Sequence, residues 1–144
     1  MTETLVIDAS VAIKWLVPEE DFASAHALRG KFRLIAPQLI YAECANILWK
    51  KVGRGDLSNH EAVGLASLID ALDIEVASMR GLVEAATTLS TRLRRPAYDC
   101  FYLALAILED CRFVTADIKF HRRVQEGAFA ASIDRCVLLN QFEP

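Results

Sequence analysis

The sequence predicts an α/β fold, a three-layer α/β/α sandwich with a central parallel sheet of four to five strands. Short apolar runs rich in β-branched residues alternate with longer stretches in which apolar residues recur at helical spacing. This alternation is typical of a parallel sheet with helices on both faces. The composition agrees, because 53% of the 144 residues are hydrophobic and a sheet covered on both faces needs continuously apolar strands.

The predicted elements follow one another without a repeat or a linker. The predicted strands are residues 4–8, 33–37, 73–78, 112–117 and 136–142. The predicted helices are residues 10–16, 20–30, 38–54, 58–71, 80–94, 98–110 and 117–127. Pro37 ends the second strand because proline has no amide hydrogen to continue a ladder. We expect one domain over residues 1–144.

Composition and charge limit the classes of function. With a net charge of -3 and a pI near 5.6, the chain has no overall attraction for polyanions, so a nucleic-acid ligand needs a local basic patch or a bridging metal. The longest uncharged apolar runs fall well short of the ~20 residues that span a bilayer. The acidic N-terminal residues do not resemble a secretion signal. We therefore expect a cytoplasmic protein without a membrane segment.

The four cysteines, Cys44, Cys100, Cys111 and Cys136, are far apart in the sequence. No C-x-x-C pair and no paired histidine spacing accompanies them, which argues against a zinc site or a disulfide framework. Buried, reduced thiols are the expectation.

Three aspartates stand at predicted strand ends or helix starts. Asp8 ends the first strand, Asp99 opens the helix after Pro96, and Asp117 follows the fourth strand. Each is also explained as a helix cap, a position that aspartate favours. In parallel sheets, however, ligands bind beyond the carboxyl ends of the strands, and these positions share that edge.

Glu43 is too deep inside the predicted helix 38–54 to cap it, and no Lys or Arg lies within helical reach before Lys50. One interpretation is a partly exposed glutamate on an apolar helix. The other places Glu43 and Asn46 on a face directed at a site shared with the aspartates. Clustered carboxylates repel each other unless a cation neutralises them, and an all-oxygen set suits Mg²⁺ or Mn²⁺ better than zinc or copper.

Four motifs occur in the order and approximate spacing of a known family: VIDASVAIKWL, APQLIYAECANIL, RPAYDCFYLALA and FVTAD. With them the chain resembles the PIN-domain ribonucleases, above all the VapC-type toxins of bacterial toxin–antitoxin pairs. The resemblance implies Mg²⁺-dependent endonucleolytic cleavage of RNA, homodimerisation and inhibition by a small VapB-type antitoxin. It implies catalytic and metal-ligating roles for Asp8, Glu43, Asp99 and Asp117, with hydroxyl support from Ser10 and Thr115.

Two basic groups flank the acidic motifs. We expect them to contact RNA phosphates, although they are also explained as solvated helix ends. They are Arg92, Arg94 and Arg95 before Asp99, and Lys119, Arg122 and Arg123 after Asp117. The apolar residues of 59–72 cover more than one helical face, which fits an antitoxin groove, a dimer contact or plain core.

Other classes of protein fit less well. A phosphatase of the haloacid dehalogenase type needs a second acid two residues after the first, where this chain has Ser10. A receiver domain needs paired acids near the first strand and a lysine after the last. A PIN-like module that binds RNA or protein without cutting remains the alternative, although a purely binding site would gain from losing the mutually repelling acids.

Overall fold

The structure, a computed structural model, describes residues 2–127 and 129–143. Its strands are β1 Thr4–Ile7, β2 Arg33–Pro37, β3 Glu75–Ala77, β4 Arg112–Thr115 and β5 Cys136–Leu138. Within the described residues these five strands form one sheet in the order β3-β2-β1-β4-β5, and every neighbouring pair is parallel. The predicted fold class is confirmed.

The helices connect the strands and cover the sheet. They are α1 Ala9–Ala12, α2 Phe22–His26, α3 Leu39–Gly53, α4 Asn59–Ile69, α5 Val83–Leu93, α6 Ala97–Leu108, α7 Ile118–Gly127 and α8 Ala130–Ile133. Two 3-10 turns cover Ile13–Trp15 and Leu139–Gln141. α6 packs against β1, β2 and β4 and also contacts α5 and α8, whereas α3 contacts β2, α1 and α4.

The main differences from the sequence prediction concern four elements. The helix predicted over residues 10–16 becomes α1 followed by the 3-10 turn Ile13–Trp15. The helix predicted over residues 20–30 is reduced to α2, because Asp21 has a left-handed backbone (φ 64°) and short-range turns replace the helix after His26. The fifth strand, predicted to reach residue 142, ends at Leu138, where a 3-10 turn begins. The four-residue α8 was not predicted, since so short a segment shows no helical period.

The burial of β1 explains its uninterrupted apolar sequence. Leu5, Val6 and Ile7 have no solvent-exposed surface although successive side chains point to opposite faces of the sheet. Both faces of the strand must therefore be covered, as in other parallel sheets. On β4 the ring of Phe113 stacks on Tyr102 of α6, with centroids 5.7 Å apart, and packs at 6.2 Å from Phe120 of α7.

α3 buries one stripe of its surface. Ile40, Cys44 and Leu48 recur every four residues and are all buried. Lys51 continues the stripe, and its ammonium lies 3.2 Å from Oε2 of Glu19. The ion pair is partly buried, since Glu19 keeps some exposed surface, and the sequence pattern did not reveal it.

The order of the strands determines where a ligand site can form. The chain proceeds from β1 outward to β2 and β3 and then returns to place β4 on the other side of β1. The crevice at such a reversal lies beyond the carboxyl ends of the two strands on either side of it, here β1 and β4. Asp8 directly follows β1, and Asp117 follows β4 by two residues.

All four cysteines are free thiols, three of them buried and Cys111 half-buried. Burial raises the pKa of Cys44, Cys100 and Cys136 to about 12. These thiols therefore remain protonated and unreactive near neutral pH. Among the described residues, no helix is both long enough and apolar enough to cross a membrane.

We expect Phe113→Ala to lower the free energy of unfolding by about 3–5 kcal/mol, because it empties space between two packed rings in the core. The matched substitution Phe22→Ala removes a ring that is 49% exposed and should cost about 0.5 kcal/mol or little more. Urea denaturation measures both. Equal losses for the two variants would contradict the central packing role of Phe113.

Candidate active site

The four predicted acids meet at one cavity. Its volume is about 150 Å³, and it is lined by Asp8, Ala9, Ser10, Glu43, Ile47, Asp99 and Asp117. The acids come from four well-separated parts of the chain, and none of the three histidines lines the cavity. The structure thus brings together the residues that sequence reasoning grouped, although their chemical roles remain predictions.

Each acid is positioned by its place in the fold. Asp8 caps α1 and accepts a hydrogen bond from the amide of Val11 at 3.2 Å. Asp117 precedes α7 and accepts one from the amide of Phe120 at 3.0 Å. Asp99 lies in the first turn of α6, and Glu43 lies in the second turn of α3. Two of the aspartates therefore serve as helix caps while they also line the cavity.

Asp8 is buried (7% exposed) and held by two hydroxyl groups. Ser10 Oγ donates to Oδ1 and Thr115 Oγ1 donates to Oδ2, both at 2.5 Å. Ser10 Oγ accepts from the amide of Ala116 at 3.0 Å, and Thr115 Oγ1 accepts from the amide of Asp117 at 3.1 Å. Because the amides occupy an acceptor site on each hydroxyl, both hydroxyl protons are left to point at Asp8.

Glu43 has a partner that the sequence did not reveal. The hydroxyl of Tyr102 donates to Glu43 Oε1 at 2.5 Å. Tyr102 lies three residues after Asp99 on α6, so the two side chains are neighbours on the helix surface. That spacing was visible in the sequence, but the approach of α6 to α3 was not.

Asp99 has a cation beside it. Arg95, one helical turn earlier, lies with its guanidinium 3.6 Å from Asp99 Oδ2. Its Nε is buried without a hydrogen-bond partner among the described residues. Arg95 was predicted to contact RNA, and the structure places it, half-buried, beside one of the acids that line the cavity.

The carboxylates influence one another electrostatically. Burial raises the pKa of Asp8 to about 7, against the lowering effect of its hydroxyl donors and with a further contribution from Asp99. Burial also raises the pKa of Glu43, the Tyr102 hydrogen bond lowers it, and the charges of Asp99 and Asp117 raise it. Burial and Asp117 raise the pKa of Asp99, whereas Arg95 lowers it. The cavity thus concentrates negative charge that a cation would relieve.

Comparison with known proteins identifies the family. The family model described as PIN domain matches residues 5–125. The chain belongs to the PIN domain family. No curated protein matches it.

Two solved structures share the fold of this PIN domain. PAE2754 from Pyrobaculum aerophilum superposes with a TM-score of 0.63 at 22% identity, covering 85% of this chain and 79% of its own. The structure of VapBC2 from Rickettsia felis bound to a promoter DNA fragment superposes with a TM-score of 0.63 at 13% identity. The alignment covers 94% of this chain and 96% of that chain. At these identities the likeness concerns the fold alone.

The donor set of this PIN domain fits a hard divalent cation. All four side chains offer carboxylate oxygens, which Mg²⁺ and Mn²⁺ prefer. Within residues 2–127 and 129–143, however, no three His, Cys, Asp or Glu side chains converge closely enough to form a ready-made cage. This is compatible with Mg²⁺, which usually keeps several waters and takes only one or two protein carboxylates.

Asn46 is the predicted site residue that the structure does not bring into the acidic cavity. It is exposed and lines an adjoining depression of about 300 Å³ together with Glu43, Lys50 and Tyr98. The helical spacing correctly placed Asn46 on the side of α3 that carries Glu43. Ile47, the next residue of α3, lines the acidic cavity instead, so Asn46 faces the adjoining depression.

Two of the predicted RNA-binding arginines have structural contacts. Arg92 Nε donates to the carbonyl of Gly127 at 2.8 Å. Arg123 donates to the carbonyl of Leu93 from both Nε and a terminal nitrogen, at 3.0 and 2.6 Å. These bonds fasten the end of α5 to α7.

The other predicted cations outside the cavity are more available. Arg94, Lys119 and Arg122 are exposed. Arg94 ends α5 in a left-handed conformation (φ 53°), just before α6 begins. Lys119 and Arg122 lie on the first turns of α7, directly after Asp117. All three therefore belong to segments that lead into or out of the acidic cavity.

In metal-free buffer we expect Asp8→Asn to gain stability relative to the wild type as the pH rises from about 4 to about 7. The pKa of Asp8 is raised in the folded state, so the folded protein binds more protons and its stability falls as the pH rises through this range. Asparagine does not titrate, so the Asp8→Asn variant does not lose this part of its stability as the pH rises. Urea denaturation in the presence of EDTA measures the difference at each pH.

The exposed Asp70 provides the control for this experiment. Asp70→Asn should follow the wild-type pH dependence, whereas Asp8→Asn should diverge from it. A constant difference between Asp8→Asn and the wild type across the range would show that Asp8 titrates normally.

Proposed function

We propose that this PIN domain, over residues 1–144, is a Mg²⁺-dependent endoribonuclease and the toxin component of a type II toxin–antitoxin system. The observation that carries the proposal is the meeting of Asp8, Glu43, Asp99 and Asp117 around one cavity. It lies at the edge of the sheet where parallel α/β proteins bind ligands. Family membership supports it, since PIN domains are generally nucleases.

In the proposed mechanism four carboxylates bind the metal, and the strands and helices that carry them fix their positions. Asp8 and Asp99 are the main ligands, and Glu43 and Asp117 complete the set directly or through water. A bound Mg²⁺ or Mn²⁺ would supply Lewis-acid chemistry here, polarising the scissile phosphate and lowering the pKa of a water suited to in-line attack. Ser10 and Thr115 keep the Asp8 carboxylate oriented throughout.

The proposed products are a 5′-phosphate and a 3′-hydroxyl. The alternative route through the ribose 2′-hydroxyl commonly needs a general base such as histidine, and none of the chain's histidines lines the cavity. Arg95 lies close enough to Asp99 to face a phosphate that enters the cavity. Its guanidinium supplies the paired N–H donors that suit phosphate oxygens.

RNA reaches the cavity over the exposed cations Arg94, Lys119 and Arg122. They provide the local positive charge that an acidic protein needs to bind a polyanion. In this proposal Arg92 and Arg123 contribute their charge from fixed positions, because backbone carbonyls already hold them.

The partners we propose are a VapB-type antitoxin and a second copy of the chain, in the cytoplasm. Large apolar side chains are exposed on neighbouring helices: Trp49 (68%) on α3, and Val63 (72%) and Leu68 (50%) on α4. Such surface suits a protein contact. The likeness to VapBC2, a protein described with a promoter DNA fragment, agrees with a toxin–antitoxin assignment.

We expect RNA cleavage that depends on Mg²⁺ or Mn²⁺ and falls on the order of 100-fold or more in Asp8→Asn and Asp99→Asn, because losing a ligand exceeds the cost of losing an outer contact. Asp70→Asn, the same change on an exposed residue, should cleave normally. The assay follows 5′-phosphorylated fragments from labelled RNA. Thermal denaturation should also show stabilisation by the metal, reduced in Asp8→Asn.

The alternative, a PIN-like module that binds without cutting, makes a different prediction. It would bind RNA, with or without the metal, and leave it intact. Cleavage that persists in EDTA or in Asp8→Asn would contradict the metal-dependent mechanism and the role of the acids.

We expect Arg94→Ala with Arg122→Ala to raise KM for RNA and to reduce the dependence of binding on salt, because each lost phosphate contact removes about 0.7–0.9 from the logarithmic salt slope. A control with the same loss of charge is Lys31→Ala with Arg33→Ala, at the amino end of β2. The control should leave KM unchanged. Equal effects of the two pairs would indicate a diffuse charge effect instead of a path over α5 and α7.

A further inference from the structure

Tyr102 stands out because contacts fix both its ring and its hydroxyl. The side chain has no exposed surface. Its ring stacks on Phe113 of β4 with the planes 10° apart, which anchors it to the centre of the sheet. The hydroxyl reaches from α6 to α3 and donates to Glu43 Oε1 at 2.5 Å.

Glu43 needs such an anchor more than the aspartates do. It is half-buried and has more rotatable side-chain bonds than aspartate, so its carboxylate has several ways to turn. Asp8, in contrast, receives a hydroxyl proton on each oxygen. Within the part of the chain that the structure describes, Tyr102 is the one hydrogen-bond donor to the Glu43 side chain, and that bond uses one of the two carboxylate oxygens.

We propose that Tyr102 is a positioning residue of the acidic cavity: its hydroxyl holds Glu43 Oε1 and thereby directs Oε2 at the divalent cation. The proposal rests on the function proposed above. Tyr102 and Asp99 both lie on α6. The same contact therefore also fixes the Glu43 side chain relative to the helix that carries Asp99. Metal sites commonly depend on outer contacts of this type to orient their ligands.

The first test is Tyr102→Phe, which keeps the ring and its stacking and removes only the hydroxyl. We expect the affinity for Mn²⁺, measured by calorimetry on the folded protein, to fall about 10- to 100-fold, with a similar fall in RNA cleavage at low metal concentration. Tyr41→Phe, the same change on an exposed residue of α3, is the matched control and should change neither quantity.

The second test shows whether Tyr102 acts through Glu43. In a Glu43→Gln background, where the ligand charge is already lost, Tyr102→Phe should change Mn²⁺ affinity less than about 2-fold. Glu43→Asp provides an independent route, because the shorter side chain withdraws from the hydroxyl without altering Tyr102. It should reproduce the loss of affinity seen in Tyr102→Phe, and combining the two changes should add little.

The outcomes separate the two proposals. If the wild type binds Mn²⁺ and cleaves RNA while Tyr102→Phe behaves identically, the positioning role is wrong and the nuclease assignment stands. The inference is also overturned if Tyr102→Phe lowers Mn²⁺ affinity as much in the Glu43→Gln background as in the wild type, because Tyr102 then acts on something other than Glu43. If the wild type neither binds the metal nor cleaves RNA, the proposed function itself fails.

Discussion

The burial of one carboxylate between the ends of two adjacent strands governs the organisation of this site. Asp8 follows β1, Thr115 ends β4, and their side chains are joined by a hydrogen bond across the strand boundary. Ser10 completes the arrangement by donating to Asp8 and accepting from the backbone after β4. A buried carboxylate without such donors is costly, so these contacts and the register of the two strands depend on each other.

The remaining acids add repulsion to that costly centre. Asp99 raises the pKa of both Asp8 and Glu43, and Asp117 raises that of Glu43 and Asp99. Arg95, which lies beside Asp99, lowers the pKa of that carboxyl group. The stability needed to hold the acids together must come from elsewhere, and the fully buried strand β1 and the stacked rings around Phe113 are suited to supply it. Electrostatic strain at the site and the high apolar content of the chain are therefore connected.

Much of this arrangement was accessible from the sequence because it depends on local chemistry. Asp8 and Asp117 were found as acids at strand ends, and Asp99 as an acid in the first turn of a helix. Glu43 was found because no helical neighbour could compensate it. For the three aspartates the inference needed only the order of the elements and the rule that parallel strands share a carboxyl edge. The roles of all four acids were implied by the resemblance to the PIN-domain ribonucleases.

The contacts that were not predicted depend on how helices meet. Nothing in the sequence around Tyr102 distinguishes a core tyrosine from one that reaches Glu43, since that contact requires α6 to lie beside α3. The same applies to Arg92 and Arg123, whose carbonyl partners lie 35 and 30 residues away. Local composition suggested free cations there. Only tertiary packing shows that the two side chains join helices.

The contacts of Arg92 and Arg123 also bear on how an acidic chain presents positive charge. The positive charge of a guanidinium bound to a neutral carbonyl has no negative charge beside it, whereas a carboxylate partner offsets it. Arg92 is of this kind, held by the carbonyl of Gly127 and lying over the ring of Phe129 at 4.2 Å. Arg123 is partly offset by Glu126 at 3.6 Å. Arginine thus joins α5 to α7 and keeps positive charge on both helices, which an apolar contact would not do.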